Sequence, residues 1–405
     1  MAELMIRAAM NDHLVVSDLL TPTTAASLGQ RRPSIDRLVA DAHVAEARPA
    51  LADFAQGAGI PYLIDPNTPL LQTQVAVGDK WAQLPFARAD AMPPADIDTA
   101  RLAAEVVEFQ LDKGATVVIP AYFYASAPTD PWFILSLRLI DDTAEYLRDN
   151  NVRLPVMPIL CAQLQSFGNS LLWATGLDRF LERTKSVGGT TAGLCFSPSG
   201  NGADGYGKVR RLFDSARHAK TSGLNVVAWR QGVYGLGLVA AGLDGYECGM
   251  GTGEQTDISR QQSSRKPRES SAHGGSSTGL FIETIGRSVP RRVGQILLGD
   301  TAMRPKVMCD DEGCCPSVVA TLDHPREHAV RSRARQLRSV TDQPAVRWRL
   351  NHIAREATLA ATLAVQANRV LETEGEEQRI KPRNLEALAQ VASELAEGEA
   401  GNRIA

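Results

Sequence analysis

The sequence predicts an α/β protein built as a (β/α)8 TIM-type barrel with a C-terminal Cys/His-bearing helical extension. Three observations carry this expectation. Short apolar runs recur through the first two-thirds of the chain, each too short for a helix and each bounded by Gly, Pro or polar residues. Longer segments between them repeat apolar residues at three- and four-residue spacing, which is helical periodicity. No Gly-rich dinucleotide fingerprint follows an early strand, which favours a closed barrel over an open doubly wound sheet.

The runs read as strands are residues 14–16, 62–64, 116–119, 156–160, 192–196, 226–229, 246–248 and 280–283. The helical segments are 35–55, 96–111 (with Asp96 as N-cap after two prolines), 131–147, 171–185 and 208–219. Alternation of the two kinds implies parallel strands with helices outside. On this reading residues 1–300 form the barrel and residues 301–405 the extension. Residues 254–278 hold almost no apolar side chain and are dense in Ser, Gln, Arg and Gly. They read as a mobile loop after the seventh strand, either a tolerated surface insertion or a lid that orders on binding. Arg260, Arg265, Lys266 and Arg268 would give it positive charge.

Bulk numbers bound the function classes. The chain has 405 residues, 44% of them hydrophobic and only 5% aromatic, so a large core must rest on Ala, Leu, Val and Ile. A formal net charge of -3 gives no global argument for nucleic acid or a membrane. No stretch approaches the roughly 20 apolar residues of a membrane span, and residues 1–20 lack the pattern of a signal peptide. A cytoplasmic location without a membrane partner is the expectation. The six cysteines agree: Cys161, Cys195 and Cys248 are scattered, whereas Cys309, Cys314 and Cys315 cluster. That is poor spacing for disulfides and fair spacing for a metal.

Barrel enzymes place their chemistry at the carboxyl ends of the strands. On these assignments the positions are Asp18, then Asp65 and Asn67, Tyr122 and Tyr124, Gln163 and Gln165, Ser197 and Ser199, Arg230 and Gln231, Glu247, and Arg287. Carboxylates, amides and aromatic rings on one rim suit a planar hydrogen-bonding ligand. Asp65, between a strand and Pro66, is held extended, which aims a carboxylate; an Asx turn is the alternative role. Glu247 lies between Tyr and Cys with glycines around it, and partial burial can tune such a carboxylate as nucleophile or base. Gly249, Gly251 and Gly253 would let backbone approach a phosphate or sugar.

The stretch CDDEGCCPSVVATLDHPREH offers Cys309, Cys314, Cys315 and either His324 or His328 as ligands of a structural Zn²⁺, the alternative being plain buried thiols. The adjacent cysteine pair is unusual, because neighbouring side chains diverge. Arg331, Arg333, Arg335 and Arg338 follow, a basic run that reads as a phosphate-backbone grip or a solvated face. The last helices, about 346–371 and 384–397, offer a possible homodimer surface.

In order of features the chain resembles the tRNA-guanine transglycosylase family. YLIDPNTPLLQ is similar to the family's aspartate motif, PILCAQLQ to its glutamine-bearing strand, GLDGYECGMGT to its nucleophile strand, and the Cys309–His328 cluster falls where its zinc ligands belong. The resemblance implies a barrel that exchanges a nucleobase through a covalent carboxylate–sugar intermediate. Glu247 would be the nucleophile and Asp65 the acid/base. Gln163 and Tyr122 would hold the base, and Asn67, Arg230, Gly249, Gly251 and Arg287 would complete the substrate site. The rival expectations are a non-catalytic nucleic-acid-binding protein on a barrel scaffold and a barrel enzyme for a phosphorylated small molecule.

Overall fold

The computed structural model describes residues 2–20, 35–76, 78–167, 171–250, 254–266, 279–311 and 313–401. The eight strands of its main sheet are β1 (Glu3–Ala8), β2 (Arg37–Asp41), β3 (Tyr62–Asp65), β4 (Tyr124–Ala125), β5 (Ile159–Gln163), β6 (Thr191–Ser197), β7 (Asn225–Ala228) and β8 (Gly245–Gly249). All pair in parallel, in the order β3-β2-β1-β8-β7-β6-β5-β4. Residues 116–118 close the ring between β3 and β5, with Leu63 bridging Val117 and Val118 bridging Val156. The chain is therefore a (β/α)8 barrel whose fourth stave is the irregular segment ending in β4.

Helices alternate with the strands: α1 (His13–Leu20), α2 (Ala42–Ala47), α3 (Ala50–Ala58), α4 (Thr99–Asp112), α5 (Pro131–Asp149), α6 (Leu171–Ser186), α7 (Tyr206–Lys220) and α8 (Gly235–Ala240). Local sequence sets their starts. Asp98 accepts a hydrogen bond from the Arg101 N–H at the start of α4, so it is the cap, and Asp96 instead ends a short 3-10 turn. Asp130 accepts from the Trp132 N–H, with Pro131 in the first turn of α5.

Each strand is apolar on both faces because one packs on helices and the other fills the bore. Met5, Val39, Leu63, Ile159, Cys195 and Val227 point inward and touch one another, while Leu4, Ile6, Leu38, Ala40, Leu194 and Phe196 face the helices. The period of two then dictates what crowns the bore. Two residues beyond the inward apolar layer stand Arg7, Asp41, Asp65, Ser197 and Trp229.

After β8 the chain forms α9 (Ile258–Ser264), then the antiparallel hairpin of β9 (Leu280–Ile282) and β10 (Arg287–Val289). The extension follows as α10 (Arg291–Gly299), α11 (Arg304–Val307), α12 (Val318–Asp323), α13 (Pro325–Thr341), α14 (Val346–Thr373) and α15 (Arg383–Gly401). The hairpin, α10 and the second half of α14 enclose their own core around Leu280, Val293, Leu297, Ala364 and Leu371. The other end of α14 and α15 join the barrel's outer core through Leu350, Leu388 and Val391. Among the described residues no helix is long and apolar enough to cross a membrane.

Two strand expectations and one helical expectation need correction. Residues 14–16 lie in α1, and the first strand begins at Glu3. The 35–55 segment opens with β2 before its two helices. Residues 280–283 belong to the hairpin outside the barrel, because the ring is already complete without them. Part of the 254–278 stretch is helical as α9; residues 267–278 lie outside the described residues.

Gly193 faces the bore with no room to spare: an added Cβ would lie 2.4 Å from Ile159 Cδ1 and 3.5 Å from Trp229 Cβ. Gly193→Val should overpack the barrel and cost roughly 1–3 kcal/mol of stability. Urea unfolding would register the loss as a lower midpoint at unchanged slope.

Candidate functional site

Five charged side chains from five strand ends meet at the carboxyl end of the barrel. Arg7 lies at the centre. Its Nε donates to Glu247 Oε1 at 2.8 Å and its Nη2 to Glu247 Oε2 at 3.0 Å. Nη1 reaches Asp41 Oδ1 at 2.5 Å, and Nη2 is also 3.0 Å from Asp65 Oδ2. Arg230, directly after β7, donates through Nη2 to Asp41 Oδ1 and Asp65 Oδ2, each at 2.8 Å. Its backbone N–H donates to Glu247 Oε2 at 2.8 Å. That geometry requires a left-handed backbone, and Arg230 has φ +57°. A non-glycine residue held there is a strained position of the kind that marks functional sites.

Neutral donors complete the carboxylates. Asp65 Oδ1 accepts from the Tyr122 hydroxyl and the Asn67 N–H, both at 2.8 Å, and Oδ2 accepts from Trp229 Nε1 at 3.3 Å. The Arg7 guanidinium lies 5.0 Å from the centre of the Trp229 ring. Burial alone would raise the Asp65 and Asp41 carboxyls, but Arg230 and Arg7 outweigh it and hold both below the usual range. Burial, reinforced by Asp65, pushes the Tyr122 phenol well up, so it stays a donor.

Depth separates the roles. Asp65 and Glu247 have 0% and 1% of their side chains exposed, against 17% for Asp41, 12% for Arg7 and 13% for Arg230. The last three, with Gly249 and Gln261, line a cleft of about 290 Å³. Asp65 and Glu247 do share one cluster, but they lie beneath the guanidiniums. Tyr122 packs in the bore rather than on the cleft. Gln163 ends β5 and accepts from the Ser166 hydroxyl at 3.3 Å. Asn67, at φ +51°, keeps its side-chain amide buried without a hydrogen-bond partner among the described residues. Gly251 lies outside the described residues. Asp18 is exposed on α1, not at a strand end.

The segment before and within α9 crosses this mouth. Thr256 bridges Ser199, Ile258 plugs the top of the bore, and the Gln262 side chain donates to the Pro69 carbonyl at 2.7 Å. Arg265 is 2.6 Å from Asp79 and 3.4 Å from His43 Nε2. Burial holds the His43 imidazole below its ordinary value. The strap's root is Glu254, which accepts from Ser288 and from the buried Arg333.

Arg7, Asp41 and His43 escaped the sequence reading. The missed signal is a recurring pattern, three apolar residues and then a charge: LMIR at Arg7, LVAD at Asp41 and YLID at Asp65.

The cysteine cluster assembles. Ligand atoms of Cys309, Cys314, Cys315 and His328 all lie within 4.8 Å of one another. His328 Nδ1 is 3.2 Å from Cys315 Sγ and 3.5 Å from Cys314 Sγ, and its Nε2 is fixed by the Phe281 carbonyl at 2.9 Å. The adjacent cysteines do not diverge, because the Asp311 carbonyl accepts both of their N–H groups and curls the chain. Their sulfurs sit 3.6 Å apart, near the edge of about 3.8 Å that a tetrahedron of Zn–S bonds requires. His324 is the N-terminal flanking residue of α13 and pairs with Glu327 instead.

The basic run is not a continuous grip. Arg333 is 2% exposed, stacks on Phe281, and binds Glu254 and the Gly232 carbonyl. Arg335 is held by Glu283, Asp311 and Cys309 Sγ. Arg338 is exposed and Arg331 half-buried. Arg287 stands on β10, not at a barrel strand end, and is tied to Lys381 and Asn384.

No protein-family model and no curated protein matches the chain. Solved structures similar to it include the YdjI aldolase of Escherichia coli K12, with 10% identity over 84% of this chain and 90% of that one and a TM-score of 0.36. The carboxyl transferase domain of Rhizobium etli pyruvate carboxylase matches with 10% identity, 98% of this chain, 61% of that one and TM-score 0.38. A 2,3-dimethylmalate lyase of the PEP mutase/isocitrate lyase superfamily matches with 8% identity, 65% and 79% coverage and TM-score 0.34. At such scores no substrate or mechanism transfers. These neighbours are not transglycosylases, and the resemblance to the tRNA-guanine transglycosylase family is withdrawn. The geometry agrees: Glu247 is gripped by Arg7 at both oxygens and is 1% exposed, so it is not presented to a sugar in the cleft.

Arg7→Met should leave three carboxylates facing Arg230 alone and destabilise the fold by roughly 3–5 kcal/mol. Calorimetry would show it as a lower Tm. Because the Asp41 and Asp65 carboxyls lie below their unfolded values, wild-type stability should be fully present above about pH 4 and fall as pH drops further. In Asp65→Asn that acid-side slope should be shallower.

Proposed function

We propose that the chain is a barrel enzyme for a small oxyanion-bearing molecule, whose carbonyl or carboxylate oxygen is held between Arg7 and Arg230. The observation that carries this is a donor inventory. A guanidinium has five N–H groups. Arg7 donates one to Asp41 and two to Glu247 and has its Nη2 in an ion pair with Asp65; Arg230 spends two on Asp65, one on Asp41 and one on Gln261. One Nη1 N–H remains on each, without a partner among the described residues, and both side chains line the same cleft.

Toward the cleft the cluster presents two guanidinium edges and one carboxylate, since Asp65 and Glu247 are covered. Two fixed donors lining one cleft stabilise negative charge that develops on an oxygen bound there, as in formation of an enolate or alkoxide. Asp65 and Glu247 act by holding the guanidiniums in place. Asp41 and Asp65, held below the usual carboxylate range by the two guanidiniums, do not carry protons readily near neutral pH, which favours this positional role over an acid/base one.

The Cys3His set is proposed to bind Zn²⁺ as a closed structural site. Four protein ligands leave no open position, and Arg335 on Cys309 offsets the surplus charge of three thiolates. Metal analysis of the purified chain should find one zinc, and Cys315→Ser should lose it along with thermal stability. A metal-free wild-type chain of undiminished Tm would remove this assignment.

Arg230→Gln should weaken binding of small 2-oxo acids at least about tenfold, or ~1.4 kcal/mol, in calorimetric titration. Equal binding by the variant would exclude the cleft as the ligand site.

A further inference from the structure

A second cavity, of about 450 Å³, lies on the other side of the strap. We propose that it is a phosphate subsite, formed by Arg260 and Arg287, for the tail of the ligand whose oxygen is held by Arg7 and Arg230. The proposal thus rests on the function proposed above and adds the ligand's class, a small phosphate monoester.

The two cavities share a wall. Gln255, Asp257 and Gln261 line both, so the two cavities adjoin across the strap segment. Arg287 is a pre-placed cation. Its Nη1 is anchored on the Lys381 carbonyl at 3.1 Å and its Nη2 on the Asn384 side chain, while its Nε is buried with no partner among the described residues. A rigid guanidinium with a donor left over, lining a cavity, is what an anion site needs before its anion arrives. Arg260 is exposed on α9, lines the same cavity, and has no ion pair among the described residues.

The charge balance favours an anion. Two carboxylates also line the cavity. Glu254 is taken up by Arg333 and by the Ser288 N–H and hydroxyl. Asp257 caps α9 through the Arg260 N–H. With Glu254 neutralised, two guanidiniums face one carboxylate. The cations come from two separate elements, α9 and β10. Donors spread in this way match the tetrahedral oxygens of a phosphate better than the flat pair of a carboxylate.

The test is calorimetric titration of the full chain with inorganic phosphate and with glycerol 3-phosphate. The wild type should bind one equivalent of each. Arg260→Ala should weaken both at least tenfold, and Arg287→Gln should do the same, while Arg230→Gln leaves inorganic phosphate unchanged. Arg287→Gln also cuts the ties to Lys381 and Asn384, so the exposed Arg260 carries the decision. Phosphate binding that survives Arg260→Ala but is abolished by Arg230→Gln would place the anion in the mouth and overturn the subsite while leaving the proposed function standing. Absence of phosphate binding to the wild type would also overturn the subsite, and the 2-oxo acid titration, which does not need it, would then report on the proposed function separately.

Discussion

The bidentate grip of Arg7 on Glu247 is the constraint on which the mouth of this barrel depends. Arg7 ends the first strand and Glu247 sits in the eighth, so this pair ties the barrel's last strand to its first. The same guanidinium then reaches Asp41 and Asp65 on the second and third strands. Four neighbouring staves are thereby locked to one side chain, and Arg230 from the seventh repeats the pattern from the other side. Buried ion pairs are costly to desolvate and contribute little net stability over an apolar core. Their value here is geometric. Each charged group has a partner in one arrangement only, so the strand ends cannot slide without leaving a buried charge alone.

The extension is joined to this mouth by a short chain of contacts rather than by proximity alone. Helix α13 carries His328, whose imidazole fixes the cysteine cluster to the Phe281 carbonyl. Five residues later Arg333 stacks on that same phenylalanine and binds Glu254 and Gly232. Glu254 is the root of the strap, and Gly232 follows the turn that carries Arg230. A metal held by the cysteines would therefore stiffen the base of both segments that frame the cleft. The arginine run, which looks like a solvated or phosphate-binding face in sequence, is partly structural for this reason.

Most of the barrel was legible in the sequence, and the failures have physical causes. Six of the apolar runs read as strands lie in the wall, because strands buried on both faces read as short uninterrupted hydrophobic stretches. The second strand was hidden since Asp41 passes directly into α2 with no turn residue between. Leu38, Ala42 and Ala45 then fall at helical spacing. The first strand begins at the chain's third residue and carries Glu3 and Arg7 at its ends, so it lacks flanking punctuation. Losing these two strands lost Arg7 and Asp41 from the site. It also forced an eighth strand to be sought downstream, in a hairpin. The Asp65, Arg230 and Glu247 positions were readable because glycine, proline or tryptophan marks the strand ends there. Their mutual pairing was not, since it depends on two arginines contributed by residues far apart in the chain.

That pairing decides what kind of chemistry the mouth supports. A general acid or base works best when its proton affinity lies near the working pH. Asp41 and Asp65 are driven the opposite way by two guanidiniums, and Tyr122 is driven up by burial beside a carboxylate. These three groups are therefore not poised to exchange a proton near neutrality. What the mouth does possess is a set of dipoles and charges already oriented, with little freedom to reorganise, around two unspent N–H groups. Such an environment discriminates by charge development rather than by proton affinity: a neutral ligand gains little from it, whereas an oxygen acquiring negative charge gains at each step toward the oxyanion. The buried carboxylates are thus indirect partners in binding, because without them the two guanidiniums would repel each other and turn outward to water.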